Sequence, residues 1–123
     1  MSKPKILIVD DDKSLLSLTR TLLEKLGSFE TCTEHRSFAA LATARTFCPD
    51  LVLLDVDMPG KDGGDVAAEL GADAVLSRVP IIFLTSLVSK DEAGVRNGVR
   101  YLSKPVNPQL LLQAVREALA VAA

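Results

Sequence analysis

The chain has no tryptophan, one tyrosine, one histidine and two cysteines among its 123 residues, and each scarcity closes off a class of function. Cys32 and Cys48 show no CxxC spacing and no histidines cluster with them, which argues against a zinc site or a disulfide framework. They read as small buried hydrophobes of a reducing compartment. His35 stands alone between Glu34 and Arg36 and reads as surface. No apolar run approaches the roughly 18 residues of a membrane span, so no membrane segment is expected. No Lys/Arg cluster exists either: 14 basic against 16 acidic residues give a net charge of −2, without the basic footprint that direct nucleic-acid binding requires.

What is present is apolar and ordered. Apolar residues make up 48% and charged ones 24%, which excludes disorder, and the length suits a single domain over residues 1–123. The opening "MSKPKILIVDDD" passes from two lysines into a strand-like run and reaches acids at once. That leaves no room for a signal peptide, so a cytoplasmic location is expected.

Short aliphatic runs alternate with longer segments of helical period, the pattern of a parallel sheet covered by helices on both faces. "ILIV" (6–9), Phe29 to Thr33, "LVLL" (51–54), "PIIFL" (80–84) and "VRYL" (99–102) are the expected strands. Leu15, Leu18, Leu22 and Leu26, joined by Leu16 and Leu23, predict a first helix that Gly27 ends. Residues 37–47 predict a second, with Ser37 as N-cap, Phe38, Leu41, Ala42 and Arg45 at helical spacing, and Pro49 as the stop. A short helix is expected within residues 64–76, with Gly71 ending or weakening it, and 108–122 predict a closing amphipathic helix with Pro108 in its first turn. Between Ser86 and Val99 the periodicity fails, so any helix there must be short or irregular.

In a parallel sheet with right-handed crossovers, all strand C-termini lie along one edge, and the residues just past each strand gather at one crevice. Asp10, Asp11 and Asp12 come after the first strand, Asp55 and Asp57 after the third, Thr85 and Ser86 after the fourth, and Lys104 after the fifth. Carboxylates forced together raise one another's pKa unless a cation sits among them, and hard oxygen ligands in a partly hydrated site suit magnesium. A divalent ion, an amine and a hydroxyl around one carboxylate suit phosphoryl transfer. The charges neutralise the equatorial oxygens, Thr85 donates a hydrogen bond, and Asp55, directly beyond the middle strand, is the expected nucleophile. Unpaired acids at buried strand ends would otherwise only cost stability. Asp12 reads as a helix N-cap, Lys61 and Asp62 as solvated turn residues, and Gly63 as serving backbone geometry.

The stretches "ILIVDDD", "LVLLDVDMPGKDG", "IIFLTS" and "YLSKP", in this order, closely resemble the receiver domain of two-component response regulators over nearly the whole chain. The resemblance implies a flavodoxin-like (βα)5 fold, a doubly wound five-stranded parallel sheet of order 2-1-3-4-5. It implies that Asp55 is the phospho-acceptor, that Asp11 binds Mg2+ directly and Asp10 mainly through water, and that the Asp57 backbone carbonyl is a third ligand. Thr85 and Lys104 match the family's phosphoryl-sensing hydroxyl and amine, Tyr101 the aromatic that swings inward on activation, and Ser86 the small residue that leaves the acyl phosphate accessible. The Lys104-Pro105 bond is expected to be cis. Implied partners are a sensor histidine kinase or phosphotransfer protein and a downstream output protein or domain, the chain itself being a monomer or weak dimer that catalyses only its own phosphorylation and dephosphorylation.

Two features depart from that pattern. Thr85 and Lys104 are nineteen positions apart, fewer than is usual in the family, and the missing residues fall in the fourth helix. Asp57 puts a second carboxylate where many relatives are neutral. Two other functions compete. A haloacid-dehalogenase-like phosphatase also uses Asp-x-Asp after an aliphatic strand, but on its first strand and with further late acids, whereas only Glu117 comes after Lys104 here. A phosphorylation-independent pseudo-receiver would have no use for the intact acids and lysine.

Overall fold

The computed structural model describes residues 2–86, 93–96 and 98–122. The aliphatic runs form strands β1 (Lys5–Val9), β2 (Glu30–Glu34), β3 (Leu51–Asp55), β4 (Ile81–Thr85) and β6 (Val99–Ser103), and a further strand, β5 (Ala93–Arg96), precedes the last. Between them lie α1 (Lys13–Leu26), a 3-10 turn (Ser37–Ala39) leading into α2 (Ala40–Phe47), α3 (Gly63–Ala72) and the closing α4 (Pro108–Ala122). The sheet order is β2-β1-β3-β4-β6-β5. Adjacent strands from β2 to β6 run parallel, in the 2-1-3-4-5 order of a flavodoxin-like sheet.

The sixth strand corrects the expectation of five. β5 pairs antiparallel with β6, Arg96 opposite Val99, and Gly98 takes a φ of +79° in the turn between them. A left-handed glycine in a two-residue connection is what a tight hairpin demands, because that backbone twist matches the twist of the strands. The irregular fourth helix expected between Ser86 and Val99 is therefore extended chain over Ala93–Arg96, and its earlier part, residues 87–92, lies outside the described residues.

Strands β1 and β3 are aliphatic at nearly every position because both of their faces are buried. Ile6, Ile8, Leu51, Leu53, Ile82, Leu84 and Leu102 pack against α1 and α4, while Leu7, Val9, Val52 and Leu54 pack against α2 and α3. Each such fully buried side chain contributes about 1.5–3 kcal/mol. That burial holds the strand ends, and so the site, in place.

The helices depart in detail from their expected faces. In α1 the buried line is Leu16, Thr19 and Leu23, while Leu18 and Leu26 are exposed. Asp12 does cap this helix, accepting from the backbone N–H groups of Ser14 and Leu15. Ser37 makes no N-cap hydrogen bond; it is buried in the 3-10 turn, and α2 instead buries Ala40 and Ala44 while Phe38 points outward. Neither cysteine belongs to the buried core. Cys32 is half-buried, and Cys48 is exposed at the left-handed C-cap of α2, φ +55°.

Candidate functional site

Parallel pairing aligns the strand ends as the sequence requires. Asp10 succeeds β1, Asp55 closes β3, Thr85 closes β4, and Lys104 succeeds β6, its backbone N–H donating to the Thr85 carbonyl at 2.9 Å. Asp10 and Asp55 are 0% and 1% exposed, and Asp11 is open to solvent. Their ligand oxygens all lie within 4.8 Å of one another.

Among the described residues, one cation reaches this group. Lys104 Nζ donates to Asp55 Oδ1 at 2.7 Å and pairs with Asp10 Oδ2 at 3.2 Å. Asp55 Oδ1 also accepts from the Asp57 N–H at 3.1 Å, and Asp10 Oδ1 from the Asp12 N–H at 3.0 Å. Among the described residues, buried Asp55 Oδ2 has no hydrogen-bond partner and Asp10 Oδ2 has only the longer ion pair.

Burial and the facing Asp10 charge push the Asp55 carboxyl above its ordinary range, against the pull of Lys104. Burial would lower the Lys104 ammonium, but its contacts with Asp55 and Asp10 outweigh that and raise it. Burial is the larger cause for Asp55, and the excess of negative charge in the group adds to it and alone raises Lys104. Three carboxylates and one ammonium leave a formal charge of minus two. Orphaned carboxylate oxygens in an all-oxygen donor set fit a hard divalent cation, and for Mg2+ they would leave room for water in its shell.

Thr85 is buried beside this group, Ser86 is exposed, and Asp57 is exposed, with a side chain outside the three-carboxylate group. Tyr101, on β6, is half-buried and lies opposite Gly94 of β5. A Cβ at Gly94 would come within 3.0 Å of its hydroxyl oxygen. The Lys104-Pro105 bond is cis.

The loop after Asp55 returns tightly to start α3. Asp62 and Asp65 form a reciprocal capping box, so Asp62 is an N-cap and not merely a solvated turn residue. Lys61 likewise pairs with Glu69 at 2.7 Å. Gly63 is packed against the Asp55 carbonyl so closely that no side chain fits there.

One cluster beside the site was not anticipated. Glu34, at the end of β2, is 6% exposed, and its carboxylate accepts from Thr43 Oγ1 at 2.7 Å, the Arg36 N–H at 2.9 Å and Arg36 Nε at 3.1 Å. Its backbone carbonyl accepts from the Asp10 N–H. Burial alone would raise the Glu34 carboxyl, but the Arg36 and Thr43 bonds together hold it below its ordinary value. A depressed carboxyl contributes stability that is fully present above its unfolded value near 4.5 and is lost as pH falls through the folded value. Glu34→Gln is therefore expected to flatten the acid limb of the stability profile below about pH 4.5, measured by urea unfolding; an unchanged slope would remove Glu34 from the acid response.

Comparison with known proteins agrees with this geometry. The chemotaxis protein CheY4 of Vibrio cholerae superposes with a TM-score of 0.83 at 26% identity, covering 95% of this chain and 99% of that one. Protein PilH of Pseudomonas aeruginosa is 35% identical over 119 residues, 94% of this chain and 98% of PilH. The polar-differentiation response regulator DivK of Brucella ovis is 32% identical, over 90% of this chain and 92% of DivK. The DNA-binding response regulator MtrA of Mycobacterium tuberculosis is 38% identical over 93% of this chain, which spans only 50% of MtrA.

A doubly wound sheet with an acid pocket at its C-terminal edge thus defines a CheY-like α/β protein. The family model of the response regulator receiver domain matches residues 6–116, and the chain belongs to that family, the signalling domain of two-component systems. Among the described residues no helix is long and apolar enough to cross a membrane.

Proposed function

We propose that residues 1–123 act as one receiver unit in which Asp55 accepts a phosphoryl group from the phosphohistidine of a sensor kinase or phosphotransfer protein. The observation that carries this reading is the state of the Asp55 carboxylate. Oδ1 is fixed by Lys104 Nζ and the Asp57 N–H, while buried Oδ2 has no hydrogen-bond partner among the described residues. One oxygen is anchored and the other is left to attack.

The Asp10, Asp11 and Asp55 carboxylates, with the Asp57 backbone carbonyl, would hold Mg2+, and Asp10 would do so mainly through water. Bound there, the ion supplies neutralising charge to the phosphoryl oxygens. Lys104 orients the acceptor and offsets the same developing charge from the side of β6. The Thr85 hydroxyl, at the end of β4, donates to the transferred group, and exposed Ser86 leaves it open to water. Tyr101 then moves inward after Thr85. That changes the rim of the sheet presented to an output protein or domain. The chain catalyses only its own phosphorylation and dephosphorylation, as a cytoplasmic monomer or weak dimer without direct nucleic-acid contact.

Incubation with MgCl2 and acetyl phosphate is expected to add the mass of one phosphate per chain, measured on intact protein, and Asp55→Asn is expected to abolish the gain. Omitting the magnesium or adding EDTA should suppress it in the parent. Labelling that persists in Asp55→Asn would refute the assignment.

A further inference from the structure

Beside the acid pocket lies a cleft of about 160 Å³ lined by Asp11, His35, Arg36, Phe38, Met58 and Pro59. Asp11 belongs to both, so the cleft borders the group of three carboxylates. Its outer wall is unusual. Phe38 is 71% exposed, the only aromatic among the exposed large hydrophobic residues of the described chain. Solvent exposure of a phenyl ring forgoes the stabilisation that burial would bring, so packing does not explain its position.

The ring is nevertheless braced. The Arg36 guanidinium carbon lies 5.8 Å from its centroid, and Arg36 is held in turn by Glu34, whose carboxylate is buried and fixed a third way by Thr43. A buried carboxylate is costly unless it is fully bonded, and here its bonds serve to immobilise an exposed arginine and aromatic at the lip of the pocket. An exposed aromatic and arginine held in place beside a reaction centre are available as contacts for another molecule.

We infer that this cleft receives the departing ring of an N-phosphorylated imidazole, with Phe38 as the ring's contact and Arg36 and Glu34 as positioning residues. The inference rests on Asp55 being the acceptor. In the transfer an Asp55 oxygen forms the new P–O bond, the P–N bond breaks, and its electron pair stays on the ring nitrogen. A ring protonated on its other nitrogen leaves as neutral imidazole, and no further reactant is consumed. The ring fits in 160 Å³, and stacking on Phe38 favours it over a donor whose leaving group is a small acyl anion.

The test compares phosphoimidazole with acetyl phosphate on the full chain with MgCl2, reading initial labelling rates by intact mass. In Phe38→Ala the ratio of the phosphoimidazole rate to the acetyl phosphate rate is expected to fall about fivefold, the scale of one aromatic pair. Phe38→Trp should restore it, and Arg36→Ala should give a partial fall. A ratio unchanged in Phe38→Ala, or not restored by tryptophan, overturns the inference while leaving Asp55 as acceptor. Failure of both donors to label the parent chain would instead overturn the acceptor reading, and this inference with it.

Discussion

Replacing Lys104 with methionine is expected to destabilise the metal-free protein at neutral pH by about 3–5 kcal/mol, the cost of removing one partner from a buried ion pair. Methionine keeps the apolar stem, so the loss isolates the charge. Lys104 Nζ stands 2.7 Å from Asp55 and 3.2 Å from Asp10, and both acid side chains are 1% exposed. Without the ammonium, two buried carboxylates face each other with no positive charge between them. One can escape by binding a proton, so the deficit of the variant should shrink as the pH is lowered. Magnesium should also stabilise the variant more than the parent, because it meets a larger deficit of positive charge. Urea unfolding in EDTA and in MgCl2, at neutral pH and at about pH 5, checks all three effects. Coincident midpoints for variant and parent in EDTA would mean that the Lys104 contacts contribute nothing to stability.

The second large effect concerns Gly63, the first residue of α3, and its sign is decided by space. Helix propensity alone favours alanine over glycine by about 1 kcal/mol. A Cβ at this position would collide with the Asp55 carbonyl oxygen and stand 2.9 Å from the Val56 Cα. Both neighbours are backbone and cannot rotate away, so overpacking of about 1–3 kcal/mol or more outweighs the propensity gain. Gly63→Ala should destabilise the chain and, by displacing the backbone of Asp55, slow labelling by acetyl phosphate. Gly71, in the same helix, has nothing within 4 Å of its would-be Cβ. Gly71→Ala should stabilise by about 0.5–1 kcal/mol with labelling unaffected. If the two substitutions behave alike in both measurements, the close approach of Gly63 to the acceptor strand has no consequence.

The placement of the pocket was legible in the sequence because a parallel sheet converts order along the chain into position along an edge. Once 6–9, 51–54, 80–84 and 99–102 are read as strands, Asp10, Asp55, Thr85 and Lys104 have no other place to gather. The helical faces were less legible. Phe38, Leu41, Ala42 and Arg45 look like a stripe, yet a 3-10 entry turns Ser37 inward and small residues, Ala40 and Ala44, make the close contacts of α2. The hairpin had a signal: Asn97-Gly98 is the dipeptide that a two-residue turn prefers, and it outweighs a failing helical period. The Asp62 and Asp65 capping box was written three residues apart in the same way. Glu34 carried no such mark. One of its hydrogen bonds comes from Thr43, nine positions away on the second helix.

The hydroxyl of Tyr101 lies over Gly94, on the side of β6 where the edge strand β5 pairs. The chain has one tyrosine and no tryptophan, so this phenol is the sole strongly emitting fluorophore of the unlabelled molecule. Its ultraviolet emission therefore reports on a single ring, free of background from any other site. A rearrangement at the rim of the sheet can be followed in real time by that intrinsic light, with no dye attached.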